Sequence, residues 1–278
     1  MGGFMFLYTS LQSPIFRDKS VYFALSNRLG GVSEGVFDTL NLGYYVGDER
    51  LNVERNHHIF LSEFWKIFAL NDKQKVVSAL YYCHQTHSTQ SIILDEKNLS
   101  SFEDFYKTKS KIIAPHSICL GEADAIITHI PYRACLVLVA DCNPILLYDN
   151  AKKVMAVIHA GRRGVFDGIV PAVFKRMSEV YGSSVSDCFM YVGASIRACC
   201  YEVGKEVQEE LLALGFDKSV LKGNKLDLIA CIKTQCKNLG INVEHIEISP
   251  YCSCCNKQLY SYRRDKTTGR FGLLAMLT

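Results

Sequence analysis

ACLVLVADCNPILLYDNAKKVMAVIHAGRRGVFDGIVPAVFKRMSEVYG, running from Ala134 to Gly182, sets the fold class of this chain. Its first half holds three apolar, β-branched runs of strand length, Ala134–Ala140, Pro144–Tyr148 and Val154–Ala160. After Gly161 the period changes. Val165, Phe166, Ile169, Val170, Val173, Phe174, Met177 and Val180 recur at helical spacing, and the pattern stops at Gly182. Pro171 inside it predicts a kink or a late start, since proline brings no N–H to a helix.

On the amino-terminal side, Val21–Ser26 suits a strand and Asn27-Arg28-Leu29-Gly30-Gly31 a turn. Asn52–Leu70 carries Val53, Ile59, Phe60, Phe64, Ile67 and Phe68 at helical spacing. Val76–Tyr82, Ser91–Leu94 and Ala125–Thr128 read as further strands. On the carboxyl side, strands are expected over Phe189–Gly193 and Val243–Ile248, with helices over Gly204–Leu214 and Asp227–Asn238 between them. Leu259–Thr278 reads as strand, glycine-containing turn, strand. Hairpins mixed with crossover helices favour an α+β layered sandwich over a doubly wound parallel sheet. Lys97–Ser110 is the most polar, loop-like stretch but is too short for an interdomain linker, so one domain over residues 1–278 is expected.

Bulk properties narrow the function. The 278 residues are 49% apolar and 21% charged with a net charge of +3, an ordinary globular balance with no basic stripe for nucleic acid. No secretory pattern opens the chain and no apolar run reaches about 18 residues. A cytoplasmic protein with no membrane contact follows, expected as a monomer or weak homo-oligomer. The 12 cysteines then read as reduced thiols, buried or ligating, and not as a disulfide framework.

Three segments place metal-ligand residue types at strand ends: Gln85-Thr86-His87-Ser88, Ala140-Asp141-Cys142-Asn143 and Ile158-His159-Ala160-Gly161. A two-residue hairpin loop at Asn150-Ala151 sets Asp149 opposite Lys152 and Cys142 opposite His159. Opposed residues have Cβ atoms roughly 4.5–5.5 Å apart, close enough for a thiolate and an imidazole to share one tetrahedral ion. With His87 added, the set is His2Cys. Three protein ligands and an open fourth position suit a catalytic zinc. Asp141 and Ser88 lie where they could orient the ligands. His84, three residues before His87, is a competing ligand, and Cys142 with His159 could equally form a metal-free nucleophile–base dyad. Cys252-Ser253-Cys254-Cys255 has no matching Cys or His pair near it in sequence and reads as structural.

In order along nearly the whole chain, several segments resemble the YfiH-like family. They are Asn27–Ser33, Asn41-Leu42-Gly43, Gln85–Ser88, Gly121–Ala125, Ala140-Asp141-Cys142, His159-Ala160-Gly161, Cys199–Gly204 and Ser261–Asp265. That family has been labelled laccase-domain or polyphenol oxidase and is better described as purine nucleoside phosphorylases. The resemblance implies a four-layer α/β/β/α sandwich with mixed sheets, similar to the catalytic domain of cytotoxic necrotizing factors. It implies zinc on His87, Cys142 and His159, with Cu2+ as an adventitious occupant in vitro. It also implies phosphorolysis of adenosine, inosine and methylthioadenosine, with adenosine deamination beside it. This chain departs from the family pattern at Arg162, Arg197 and His57.

Within that reading Arg28, Glu122, Asp124 and Asp141 are the expected catalytic residues, with Glu122 or Asp124 shuttling protons. Substrate contacts fall to Asn27, Arg28, Asn41, Gln85, Arg263 and Arg264. Arg28 beside Gly30-Gly31 suits a phosphate, because guanidinium and turn amides both bind its oxygens. Multicopper chemistry needs many histidines, typically in His-X-His pairs, whereas this chain has 8 His and no such pair. Two rival classes stand: a metal-free Cys142–His159 hydrolase acting on cell-wall precursor amides, and a non-catalytic protein with a vestigial site.

Overall fold

The computed structural model describes residues 5–70, 79–101 and 117–278. Most of the Lys97–Ser110 stretch and the start of the strand expected at Val76 lie outside them.

Two six-stranded mixed sheets form the frame among the described residues. The first runs in the order β1 (Phe6–Thr9), β2 (Val21–Ser26), β14 (Phe271–Leu277), β7 (Ala134–Val139), β3 (Leu80–His84), β5 (Ser117–Glu122). The second runs β13 (Ile246–Ile248), β10 (Cys188–Val192), β8 (Asn143–Asp149), β9 (Val154–Ala160), β6 (Ala125–Thr128), β4 (Ser91–Leu94). A small ribbon of β11 (Leu221–Lys222) and β12 (Lys225–Leu226) stands apart.

The sheets face each other across one core. Phe23, Leu25, Val137 and Leu273 come from the first sheet, and Leu146, Tyr148, Met155 and Val157 from the second. Alternate residues of the same strands point the other way. Leu136, Leu274 and Met276 pack under Phe60, Leu61 and Phe64 of helix α1 (Arg50–Ile67). Ile145, Leu147, Ala156 and Ile158 pack under α2 (Arg162–Phe166), α3 (Ile169–Tyr181) and α5 (Leu228–Leu239), with α4 (Lys205–Ala213) on the same side. Central strands are thus buried on both faces. That is why their sequences are unbroken apolar runs without polar alternation, and it yields the expected four layers.

Three local expectations are corrected. The helical pattern after Gly161 is two helices, because Gly168 adopts φ 79° between α2 and α3, a left-handed conformation that suits glycine. Pro171 falls in the first turn of α3, which is the late start its missing N–H favours. Val243–Ile248 is a strand only from Ile246, since the Asn242 side chain accepts from Glu244 N and winds 243–245 into a 3-10 turn. Leu259–Thr278 holds one strand, not two. Ser261 Oγ accepts from Arg264 N at 3.2 Å and starts a short helix, α6 (Tyr262–Asp265), before β14.

Helix α1 carries one of the departures, His57. Its ring is buried, with Nε2 donating to the Leu42 carbonyl and Nδ1 accepting from Ser117 Oγ, both at 2.7 Å. Burial holds its pKa down to about 4, so the folded protein keeps this ring neutral. The unfolded chain, with an ordinary histidine near 6.5, binds the proton first as pH falls. Stability is therefore intact above about pH 6.5 and drops toward pH 4, by about 3 kcal/mol for this one group. Urea unfolding midpoints at pH 7 and 4.5 check this. His57→Asn is expected to flatten the difference, and an equally steep fall in the variant rules His57 out as its source.

Candidate metal centre and adjoining pocket

The β8–β9 hairpin aims two of the expected ligands, with a register different from the expected one. Asp149 pairs Val154, Pro144 pairs His159 and Asn143 pairs Ala160. The turn takes four residues because Asp149 Oδ1 accepts from Ala151 N at 2.8 Å and Lys152 N at 2.9 Å, while Lys153 turns back at φ 54°. Cys142 therefore lies just beyond the ladder and not opposite His159. The slip is two residues, and side chains in a strand alternate with period two, so Cys142 keeps the face that His159 uses. His87 arrives from the turn after β3. His87 Nε2 lies 3.9 Å from Cys142 Sγ, and the ligating atoms of His87, Cys142 and His159 all lie within 4.8 Å of one another. His84 lies outside this set, with its ring edge-on to Tyr45.

Asp124, just before β6, organises the triad. It is buried, and its Oδ1 accepts from His159 Nδ1 at 2.7 Å and from His87 N at 3.0 Å. Its Oδ2 accepts from Ser88 N at 2.6 Å, Ser88 Oγ at 2.8 Å and Thr86 N at 3.2 Å. Burial alone raises a carboxyl, but the hydrogen bond and charge of His159, with those from Ser88, hold Asp124 down to about 2. One carboxylate thus fixes the histidine ring, its tautomer and the loop that presents His87. With Nδ1 committed to Asp124, Nε2 is the His159 nitrogen that faces the thiol and would take a cation. Burial opposes a thiolate at Cys142, yet His159 and then His87 pull it down to about 6, while the same contact raises His159.

The donor set fits a soft or borderline divalent cation. Gly161 makes room for it: a Cβ there would meet His87 Cδ2 at 2.9 Å and Cys142 Sγ at 3.0 Å. Among the described residues this is the only group of ligating side chains that includes histidine.

The triad opens onto a cavity of about 620 Å³. Tyr44, Tyr45, Tyr82 and Tyr201 contribute aromatic walls, and Arg263, Lys266 and Arg270 line the same space. Arg270 Nη1 donates only to the carbonyls of Thr268 and Gly269, and no carboxylate among the described residues pairs with it. Burial lowers its pKa. A half-buried guanidinium left with carbonyl partners favours an arriving anion.

The remaining expected residues separate. Gln85, Asp141 and Arg263 line the cavity with the triad. Gln85 exchanges hydrogen bonds with the Leu138 backbone, extending the edge of β7 by a side-chain amide. Asp141, at φ 102°, accepts from Ser253 Oγ and Arg263 N, both at 2.6 Å, and so orients the cavity wall and not a ligand histidine. Arg28, Asn27, Asn41, Glu122 and Arg264 are not among the cavity-lining residues. Arg28 donates to the Asp38 carbonyl at 2.7 Å and lies over the Tyr260 ring. Asn27 holds its own turn through Leu29 N, and Asn41 binds Gly43 and the Arg270 backbone N. Glu122 is exposed at the end of β5. Arg264 gathers the carbonyls of Ser253, Cys254, Asn256 and Leu259. The departures Arg162 and Arg197 also turn elsewhere, Arg162 to Glu210 and Arg197 to the Ser249 carbonyl. Arg270 and Lys266 were not legible as motifs. Their one signal is position, as the cations just before the apolar run 271–277.

The family model described as "Multi-copper polyphenol oxidoreductase laccase" matches residues 22–278. A protein of Corynebacterium glutamicum named purine nucleoside phosphorylase is 33% identical over 258 residues, 91% of this chain and 93% of that protein. One of Mycobacterium bovis with the same name is 30% identical over 91% of this chain and 90% of its own length. A Clostridium acetobutylicum protein of that name is 42% identical over a shorter match, 54% of this chain and 65% of that protein. Among solved structures, Bacillus licheniformis hypothetical protein YfiH superimposes with a TM-score of 0.80 at 24% identity, covering 97% of this chain and 99% of that one.

Proposed function

The chain belongs to the family described as multi-copper polyphenol oxidoreductase laccase, and we propose that within it this protein is a zinc-dependent purine nucleoside phosphorylase. Its substrates in this reading are adenosine, inosine and methylthioadenosine, which react with phosphate to give the free base and the sugar 1-phosphate. Adenosine deamination is a side activity. The observation that supports it is a single nucleoside-sized cavity shared by a His2Cys donor set and three cationic side chains.

His87, Cys142 and His159 would hold the metal, with Asp124 fixing His159. When bound, zinc supplies Lewis-acid polarisation and acidifies water. The side chains supply the rest. Tyrosine faces take the purine, and Arg263, Lys266 and Arg270 hold phosphate for attack on C1′ while the bond to the base breaks. His84 is the pocket group in this reading that protonates the leaving base. A proton shuttle through Asp124 is disfavoured because six donors already engage its oxygens. The donor count also argues against a multicopper centre despite the family's description.

Metal-analysed protein incubated with each nucleoside, with and without phosphate, tests the assignment. Free base is expected only with phosphate, and no product with full zinc occupancy overturns it. The phosphate site has its own check. Arg270→Ala is expected to raise the KM for phosphate by about 10–100-fold, with Arg28→Ala nearly silent. The reverse ranking would return the phosphate to Arg28.

A second reading rests on the lowered Cys142 thiol beside His159, which suits a nucleophile–base dyad. It predicts activity on amide bonds that survives complete chelation.

A further inference from the structure

We propose that Cys199, Cys200, Cys252 and Cys255 form a second cation site, a tetrathiolate that takes zinc or another soft divalent ion. The sequence presents only an unpaired C-x2-C, Cys252 to Cys255. The fold supplies the other half, the adjacent Cys199-Cys200 of the loop after β10. The four sulphurs lie within 4.8 Å of one another. Cys255 Sγ is 3.3 Å from Cys200 Sγ and 3.7 Å from Cys199 Sγ.

Those separations discriminate between chemistries. Four sulphurs at about 2.3 Å from a tetrahedral ion stand about 3.8 Å apart. A disulfide needs about 2.05 Å, and all 12 cysteines are free. The surroundings also suit a thiolate cluster. Lys225 Nζ donates to the Cys199 carbonyl at 2.9 Å, and Arg264 donates to the Ser253 and Cys254 carbonyls. Two cations thus flank a cluster that would carry net negative charge. No histidine or carboxylate belongs to the cluster, which points to a closed structural ion and not a second reaction centre.

The site would clamp the cavity wall. Cys199 and Cys200 lie between Ile196 and Tyr201, both cavity-lining. Cys252 and Cys255 flank Ser253, whose hydroxyl holds Asp141 beside Cys142.

Metal analysis of the full chain purified with zinc present is expected to give about two zinc per chain. Cys199→Ser combined with Cys255→Ser should leave about one, and His87→Asn should remove the other. Cys119→Ser, outside both groups, should leave both. A measurement without variants guards against misfolding of the double mutant. Alkylation of wild-type protein, mapped by mass spectrometry, should show Cys199 and Cys255 protected when zinc is present and labelled once it is stripped, although both are solvent-exposed. Equal labelling in the two states overturns the site, as does a mass deficit of two hydrogens marking a disulfide among the four. So does unchanged zinc content in the double variant. None of these readouts depends on turnover, so failure of the phosphorylase reading leaves this test intact.

Discussion

His87→Asn should strip the zinc of the His2Cys site and lower phosphorolysis by about 10²–10³-fold, with little loss of stability. The choice of substitution matters. His87 sits at φ 61°, where asparagine is tolerated and most other side chains are strained. Its ring is exposed and its backbone N–H stays with Asp124, so the loop keeps its anchor. An amide is a poor ligand for zinc beside thiolate and imidazole. The variant also separates the two enzymatic readings. A Cys142–His159 dyad keeps its base without His87, so a metal-free hydrolase would lose only the share of thiolate that His87 holds. Metal content and initial rate, measured on the same preparation, decide it. Unchanged zinc with unchanged rate removes His87 from the site.

Asp124→Asn carries the second large effect, on affinity and stability together. Each carboxylate oxygen is filled by donors: His159 Nδ1 and His87 N on one, Ser88 and Thr86 groups on the other. An asparagine in either orientation turns an N–H toward one of those sets. A buried donor then faces a donor, and the charge partner of His159 is gone. Breaking such a buried pair costs about 3–5 kcal/mol, and freeing the ring of His159 weakens metal binding by about 10–100-fold. Urea unfolding and competitive zinc titration measure the two. Glu122→Gln is the contrast. It is exposed at a strand end and does not line the cavity, and a near-silent result is expected. A silent Asp124→Asn with a damaged Glu122→Gln would exchange their roles.

The layered fold was legible because the central strands are buried on both faces, which writes Ala134–Val139 and Val154–Ala160 as unbroken apolar runs. Patterning also placed α1 and α3, down to the Gly182 stop. Register was not legible. It depends on Asp149 folding its carboxylate over two amides, a side-chain event that lengthens the turn by two residues without changing the hydrophobic pattern. The convergence of His87, Cys142 and His159 came through all the same, because a two-residue slip conserves the face. Arg270 and Lys266 were missed for a different reason: they fall just past the Ser261–Asp265 segment, and it is Asn41 and Asp141 that fix the loops around them. The four-cysteine cluster was hidden for want of a short-range partner, since Cys199-Cys200 and Cys252–Cys255 meet through tertiary contacts such as the Ser195–Cys252 bridge.

Phosphorus NMR of the metal-analysed protein with inosine and inorganic phosphate separates a phosphorylase from a hydrolase, since only the former joins phosphate to the sugar. A ribose 1-phosphate resonance that grows in step with hypoxanthine, and is absent for His87→Asn, is the predicted outcome. Hypoxanthine released while inorganic phosphate stays unchanged, or no reaction at full zinc occupancy, would contradict it.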